Sequence, residues 1–203
     1  MEKAPKEGYK TLLSKTPLIM GVIAIFVYVG AEVAIGSYLV NYFMDMNLAP
    51  LISSNETMMS IANTIATLFN KSFTNSDPKS LLGVFVIFYW GGAMIGRFVG
   101  AYLTKILSPV KVLGLFASLA ILMIIISVAT TGLVSMWAIL AVGLFNSIMF
   151  PTIFSLSLEG LEDLKPQASG VLCTAIFGGA VIPPLYGMLV DNLGFQNYLD
   201  FLL

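Results

Sequence analysis

The residues best suited to chemistry in this chain stand in the run Tyr28-Val-Gly-Ala-Glu32-Val-Ala-Ile-Gly36-Ser37-Tyr38. Glu32 falls near the middle of an apolar stretch from Leu18 to Phe43, long enough at about 1.5 Å per residue to cross a hydrocarbon core of roughly 30 Å. An acidic side chain at that depth costs on the order of 2.5 to 3.5 kcal/mol, so it is expected to face a protein interior or a watery cavity rather than lipid. Two chemistries suit it there: a polar contact for a hydroxylated solute, or a proton acceptor. The structural alternative is a carboxyl hydrogen-bonded to a neighbouring helix that only fixes packing. Tyr28 and Gly36 share its helix face at a spacing of four.

Asn146 lies one turn before Phe150 and Pro151, which places an amide and an aromatic on one side of a later apolar stretch. Such a pair suits a sugar ring, whose hydroxyls want hydrogen bonds and whose C–H face wants a flat apolar surface. Taken alone, the amide serves equally well as interhelical glue. Pro151 is expected to kink its helix. Gly178-Gly179, followed by Pro183-Pro184, is expected to interrupt the backbone ladder of the last apolar stretch. Carbonyls freed inside a bilayer are tolerated only beside protein or water, so that helix should line a cavity. Arg97 reads either as a gate that pairs with an acid such as Glu159 or Asp163, or as a snorkelling anchor. Tyr89 and Trp90, well inside their span, fit a cavity and simple packing equally.

These side chains need membrane helices to position them. Of 203 residues, 58% are hydrophobic and only 10% charged, and the mean hydropathy is +0.91. Such a composition excludes an ordinary soluble globule and defines an all-α, polytopic membrane protein whose first partner is the lipid bilayer. One cysteine and no histidine remove a structural zinc site, a disulfide framework, a haem pocket and a histidine-based triad. No nucleophile, base and orienter can be assembled, so an enzyme is not expected, nor a cofactor, a metal or a nucleic-acid partner. Cys173 reads as a small hydrophobe.

In chain order, residues 1–17 form a polar segment too lysine-rich to be a cleavable signal. Span 1 covers 18–43 and is opened by Pro17. Residues 44–80 are a polar insertion containing a short amphipathic helix, with Ser53 and Glu56 at capping-box spacing; it reads as a lid or as an ordered surface insertion. Spans 2, 3, 4 and 5 cover 81–103, 112–130, 134–158 and 168–190. Residues 191–203 start a sixth crossing that is not completed, so a truncated chain is expected. With the amino terminus inside, Lys3, Lys6, Lys10, Lys15, Arg97, Lys105, Lys111 and Lys165 are cytoplasmic, against Lys71 and Lys79 outside, a clear positive-inside bias.

Four stretches together resemble a known family. They are Tyr28-Val-Gly-Ala-Glu32-Val-Ala-Ile-Gly36-Ser37-Tyr38-Leu-Val-Asn41-Tyr42, Tyr89-Trp90-Gly-Gly-Ala-Met-Ile-Gly96-Arg97-Phe-Val-Gly100, Phe150-Pro151-Thr-Ile-Phe-Ser-Leu-Ser-Leu-Glu-Gly-Leu161, and Gly178-Gly179-Ala-Val-Ile-Pro183-Pro184-Leu-Tyr-Gly-Met-Leu-Val-Asp191. In this order they resemble the carboxy-terminal half of the fucose, galactose and glucose proton symporters of the major facilitator superfamily. The resemblance implies twelve helices in two six-helix halves, a sugar site between the halves and alternating access by rocking. It makes the spans here the seventh to eleventh, with Glu32, Asn146, Phe150 and Tyr28 on the sugar side. Fucose transporters tend to carry an amide at the position of Glu32, so the glucose and galactose branch is the nearer one. The stretch from Gly92 to Arg97 only loosely resembles the superfamily's gating motif, lacking its acid and its second basic residue. The family's proton-coupling acids lie in the amino-terminal half, which is absent. The expected function is the carboxy-terminal part of a hexose transporter, proton-coupled, in a bacterial inner membrane. The rivals are a small membrane scaffold protein and a facilitator for another polar metabolite on the same fold.

Overall fold

The computed structural model describes residues 12–68 and 77–193. Residues 1–11 of the leading segment, Lys71 in the insertion and the 194–203 tail, where an incomplete sixth crossing was expected, lie outside the described residues. The described chain is helical without a strand, and five of its helical stretches are long and apolar enough to cross a membrane.

The first is α1 (Thr16–Asp45), 30 residues with Pro17 in its first turn, where the missing N–H leaves no bond unmade. The insertion then folds as two short helices, α2 (Leu48–Ser53) and α3 (Glu56–Leu68). Asn47 turns the chain between α1 and α2 with φ of 51°, a left-handed conformation that asparagine tolerates better than most residues. The capping box expected from Ser53 and Glu56 is replaced by a simpler cap. The Asn55 side-chain oxygen accepts from the Met58 N–H at 3.1 Å, while the Ser53 hydroxyl donates back to the Ala49 carbonyl at 2.8 Å. Asn55 lies nearer the first free N–H groups of α3, and Ser53 is still inside the preceding helix. Leu48, Ile52 and Ala62 are fully buried in the cluster they share with α1 and the later helices, so α2 and one face of α3 pack on the bundle.

α4 (Pro78–Ile106), α5 (Pro109–Ala129) and α6 (Gly132–Asn146) follow, the first two again opened by proline. Gly132, with φ of +69°, makes the turn between α5 and α6, a conformation that glycine adopts without strain. The fourth crossing is completed by α7 (Met149–Ser157), and the fifth by α8 (Lys165–Thr174) and α9 (Gly178–Leu193). α6 packs between α4 and α5, and α1 packs on α9, α7 and α4.

Water does not drive helices together inside a bilayer, so close backbone approach carries much of the packing. Two crossings show it. At Gly143 of α6 a Cβ would run into the Tyr89 carbonyl of α4, and at Gly178 of α9 it would run into the Phe26 carbonyl of α1.

Apolar side chains gather in two main clusters along α1. One joins Leu39 and Phe43 to Phe85, Tyr89 and Leu140 and to the insertion; the other joins Ile25 and Val29 to Leu161, Leu172 and Ala175. Glu32 falls in the seam between them. Beyond the first cluster, the ends of α1, α5 and α6 are tied by buried hydroxyls. Tyr42 Oη lies 3.2 Å from Ser127 Oγ and 3.0 Å from Ser135 Oγ, and the two serine oxygens are 3.1 Å apart. Hydroxyls on neighbouring helices can satisfy one another only with partners on both sides, and each such bond in a membrane protein is worth about 0.6 to 2 kcal/mol. Ser135→Ala is therefore expected to destabilise the purified protein by about 1 kcal/mol, read as a lowered unfolding midpoint in detergent; an unchanged midpoint would show the three hydroxyls to be dispensable.

Candidate functional site

The site forms where α1, α4 and α6 meet. α1 presents Tyr28 and Glu32 one turn apart, both half-buried. From α6 comes Asn146, the last residue before the fourth crossing breaks at Ser147–Ile148. The break has a local cause in Pro151, which has no N–H to give the Ser147 carbonyl four residues earlier and whose ring crowds that carbonyl. The kink expected from Pro151 therefore appears one turn upstream of it. Asn146 is 6% exposed, and its backbone carbonyl accepts the Tyr28 hydroxyl at 2.7 Å.

Tyr89 of α4 completes the cluster. It is fully buried and donates its hydroxyl to the Glu32 backbone carbonyl at 3.3 Å. The Glu32 carboxyl is carried one turn along α1 from Tyr28. Tyr28, Glu32, Tyr89 and Asn146 thus make one polar cluster that stitches three helices at the seam between two apolar ones.

The other expected site residues lie around this cluster. Phe150 sits two residues past the break, its ring 5.8 Å from that of Phe154, and packs against the cluster that α1 shares with α8. Arg97 is exposed on the second half of α4. The interruption expected at Gly178-Gly179 and Pro183-Pro184 falls earlier. The fifth crossing is irregular at a 3-10 turn, Ala175–Phe177, and α9 then runs from Gly178 through both prolines. Neither proline can donate to the carbonyl four residues before it, yet a membrane helix whose neighbours lie close tolerates that loss. Gly178 serves instead as the point where α9 lies on the α1 backbone.

Tyr89 is the hub that sequence reasoning left undecided. A signal for it was present: Ala93 and Gly96 follow at four and seven residues and are buried with it, marking a packed face on which a tyrosine hydroxyl must find a partner.

Five apolar crossings arranged in this way match part of the helix bundle of a major facilitator superfamily transporter. The chain superposes with a TM-score of 0.74, at 25% identity, on the crystal structure of FucP, a transporter of that superfamily in the outward conformation, over 98% of this chain and 43% of that one. FucP is the Escherichia coli fucose:proton symporter. In sequence the chain is homologous to the glucose/galactose transporter of Brucella abortus, 44% identical over 177 residues covering 87% of this chain and 37% of the relative. It is likewise 38% identical over 193 residues to a putative glucose/galactose transporter of Helicobacter pylori, covering 95% of this chain and 40% of that protein. No family model matches the chain. The likeness read from the four sequence stretches is thus borne out in both sequence and fold, and the chain spans well under half the length of these relatives.

Proposed function

We propose that this chain forms the carboxy-terminal part of a secondary active transporter for a glucose- or galactose-type hexose. The observation that carries the reading is the four-residue cluster of Tyr28, Glu32, Tyr89 and Asn146 at the α1–α4–α6 junction. A carboxyl held half-buried within a membrane bundle, beside a broken helix, is costly unless a polar solute uses it. The transporter relatives support a transport rather than an enzymatic role, and the partial coverage of those relatives supports a partner half of similar size. That amino-terminal half would close the sugar site across from Glu32, Asn146, Phe150 and Tyr28, and alternating access would follow from rocking of one half against the other. Coupling to H⁺ is proposed from the fucose:proton symporter that shares the fold, with a bacterial inner membrane as the location and the amino terminus on the cytoplasmic side, as the lysine distribution favours.

The reading is tested with proteoliposomes that hold the full-length transporter carrying this chain. Radiolabelled glucose and galactose are expected to accumulate when an inward proton gradient is imposed, to stop accumulating when an uncoupler collapses it, and to be displaced by either sugar in excess. Accumulation driven by a sodium gradient alone would overturn the proton assignment, and failure of both hexoses to enter or compete would overturn the sugar assignment.

A further inference from the structure

Trp90 follows Tyr89 on α4 and keeps 50% of its surface free, although it lies near the middle of a 29-residue helix, far from the interfacial belts where membrane tryptophans usually sit. Its benzo edge lies against α1 at Gly36, where an added Cβ would come within 2.8 Å of the tryptophan Cζ2. Gly36 is one turn from Glu32 on the same helix face, so the indole lies over the face that carries the carboxyl. On its other side it meets Tyr89 edge-on, with ring centroids 5.2 Å apart at 87°. Tyr89 in turn is buried and bonded to the Glu32 carbonyl. The indole is thus wedged between a glycine and an immobilised tyrosine, which makes it a rigid, flat, apolar surface one helical turn along α1 from Glu32. Phe150, expected from sequence to supply the aromatic face, is engaged with Phe154 and with the α1–α8 packing.

We infer that Trp90 is the stacking platform of the sugar site, taking the C–H face of a pyranose whose hydroxyls meet Glu32, and that Gly36 lets the indole lie there because it has no side chain. The inference rests on the hexose reading above and adds its selectivity: pyranoses with a continuous C–H patch on one ring face, as in glucose and in galactose, whose axial O4 lies on the opposite face, bind over those that place an axial hydroxyl on the stacked face. Tyr89 is a positioning residue in this arrangement, holding the indole with its ring and α1 with its hydroxyl.

The test is uptake by the full-length transporter in proteoliposomes, comparing wild type with Trp90→Leu, Trp90→Phe and Gly36→Ala. Trp90→Leu, which keeps apolar bulk but loses the aromatic face, is expected to raise KM for glucose and galactose about tenfold with Vmax within about twofold. Trp90→Phe is expected to recover most of the affinity. Gly36→Ala, which keeps the indole but displaces it, is expected to raise KM as well. Equal KM in Trp90→Leu, Trp90→Phe and wild type would overturn the inference, as would a loss of Vmax at constant KM, since a packing residue gives that pattern. Should Trp90→Leu fail to fold, Gly36→Ala decides, and an unchanged KM there overturns the platform. Failure of the sugar reading is seen separately, as absence of hexose uptake by the wild type.

Discussion

Glu32→Gln in the full-length transporter is expected to cut hexose uptake at low sugar concentration by at least tenfold while leaving the protein folded. A hydrogen bond to a charged group is worth about 1.5 to 3 kcal/mol, which is roughly a ten- to hundredfold change in affinity. Glutamine keeps the size of the side chain, and the bond that Tyr89 makes to residue 32 goes to its backbone carbonyl, so the α1–α4 crossing survives the change. The role of Glu32 as mere interhelical glue makes the opposite forecast, a lowered unfolding midpoint with uptake intact. Unchanged uptake together with an unchanged pH dependence would take Glu32 out of the site. Labelling with a carbodiimide supplies an independent check, since a solute-facing carboxyl reacts and excess hexose protects it, whereas a sealed structural carboxyl does neither.

Glu32 was legible in the sequence because a carboxylate in an apolar run is costly wherever the run ends up, and no partner is needed to see it. Pro151 was legible for the same local reason, since its effect is confined to its own backbone. Tyr89 was not, because its meaning lies in a bond to a residue 57 positions away, and helix periodicity shows which residues share a face without showing which helix that face meets. The glycines and prolines of the last crossing were read as a break because each alone weakens a helix. In the fold, the close approach to α1 at Gly178 outweighs that weakness, and the irregular turn moves to Ala175–Phe177. The fold class needed only composition and periodicity, whereas the site needed the crossings.

Gly178 gives the second large effect, and its sign separates packing from propensity. Gly114 on α5 and Gly178 on α9 are both followed by helix, and the same replacement by alanine adds one methyl group to each. At Gly114 nothing lies within 4 Å of the added carbon, so Gly114→Ala only removes backbone freedom from the unfolded chain and is expected to stabilise by about 0.5 to 1 kcal/mol. At Gly178 the carbon meets the Phe26 carbonyl oxygen, with the Phe26 carbonyl carbon at 2.7 Å and its Cα at 2.9 Å. These are backbone atoms of α1 and cannot swing aside as a side-chain tip can, so α9 must move away bodily. Forced overpacking in a tight contact costs about 1 to 3 kcal/mol, and here it also moves α1, which carries Glu32 and the carbonyl that holds Tyr89. Gly178→Ala is therefore expected to lower the unfolding midpoint of the detergent-purified transporter and to raise KM for hexose, while Gly114→Ala raises the midpoint and leaves KM unchanged. Shifts of the same sign in the two variants would show that the α1–α9 crossing is looser than its geometry implies, and that the α1 face does not depend on this contact for its position.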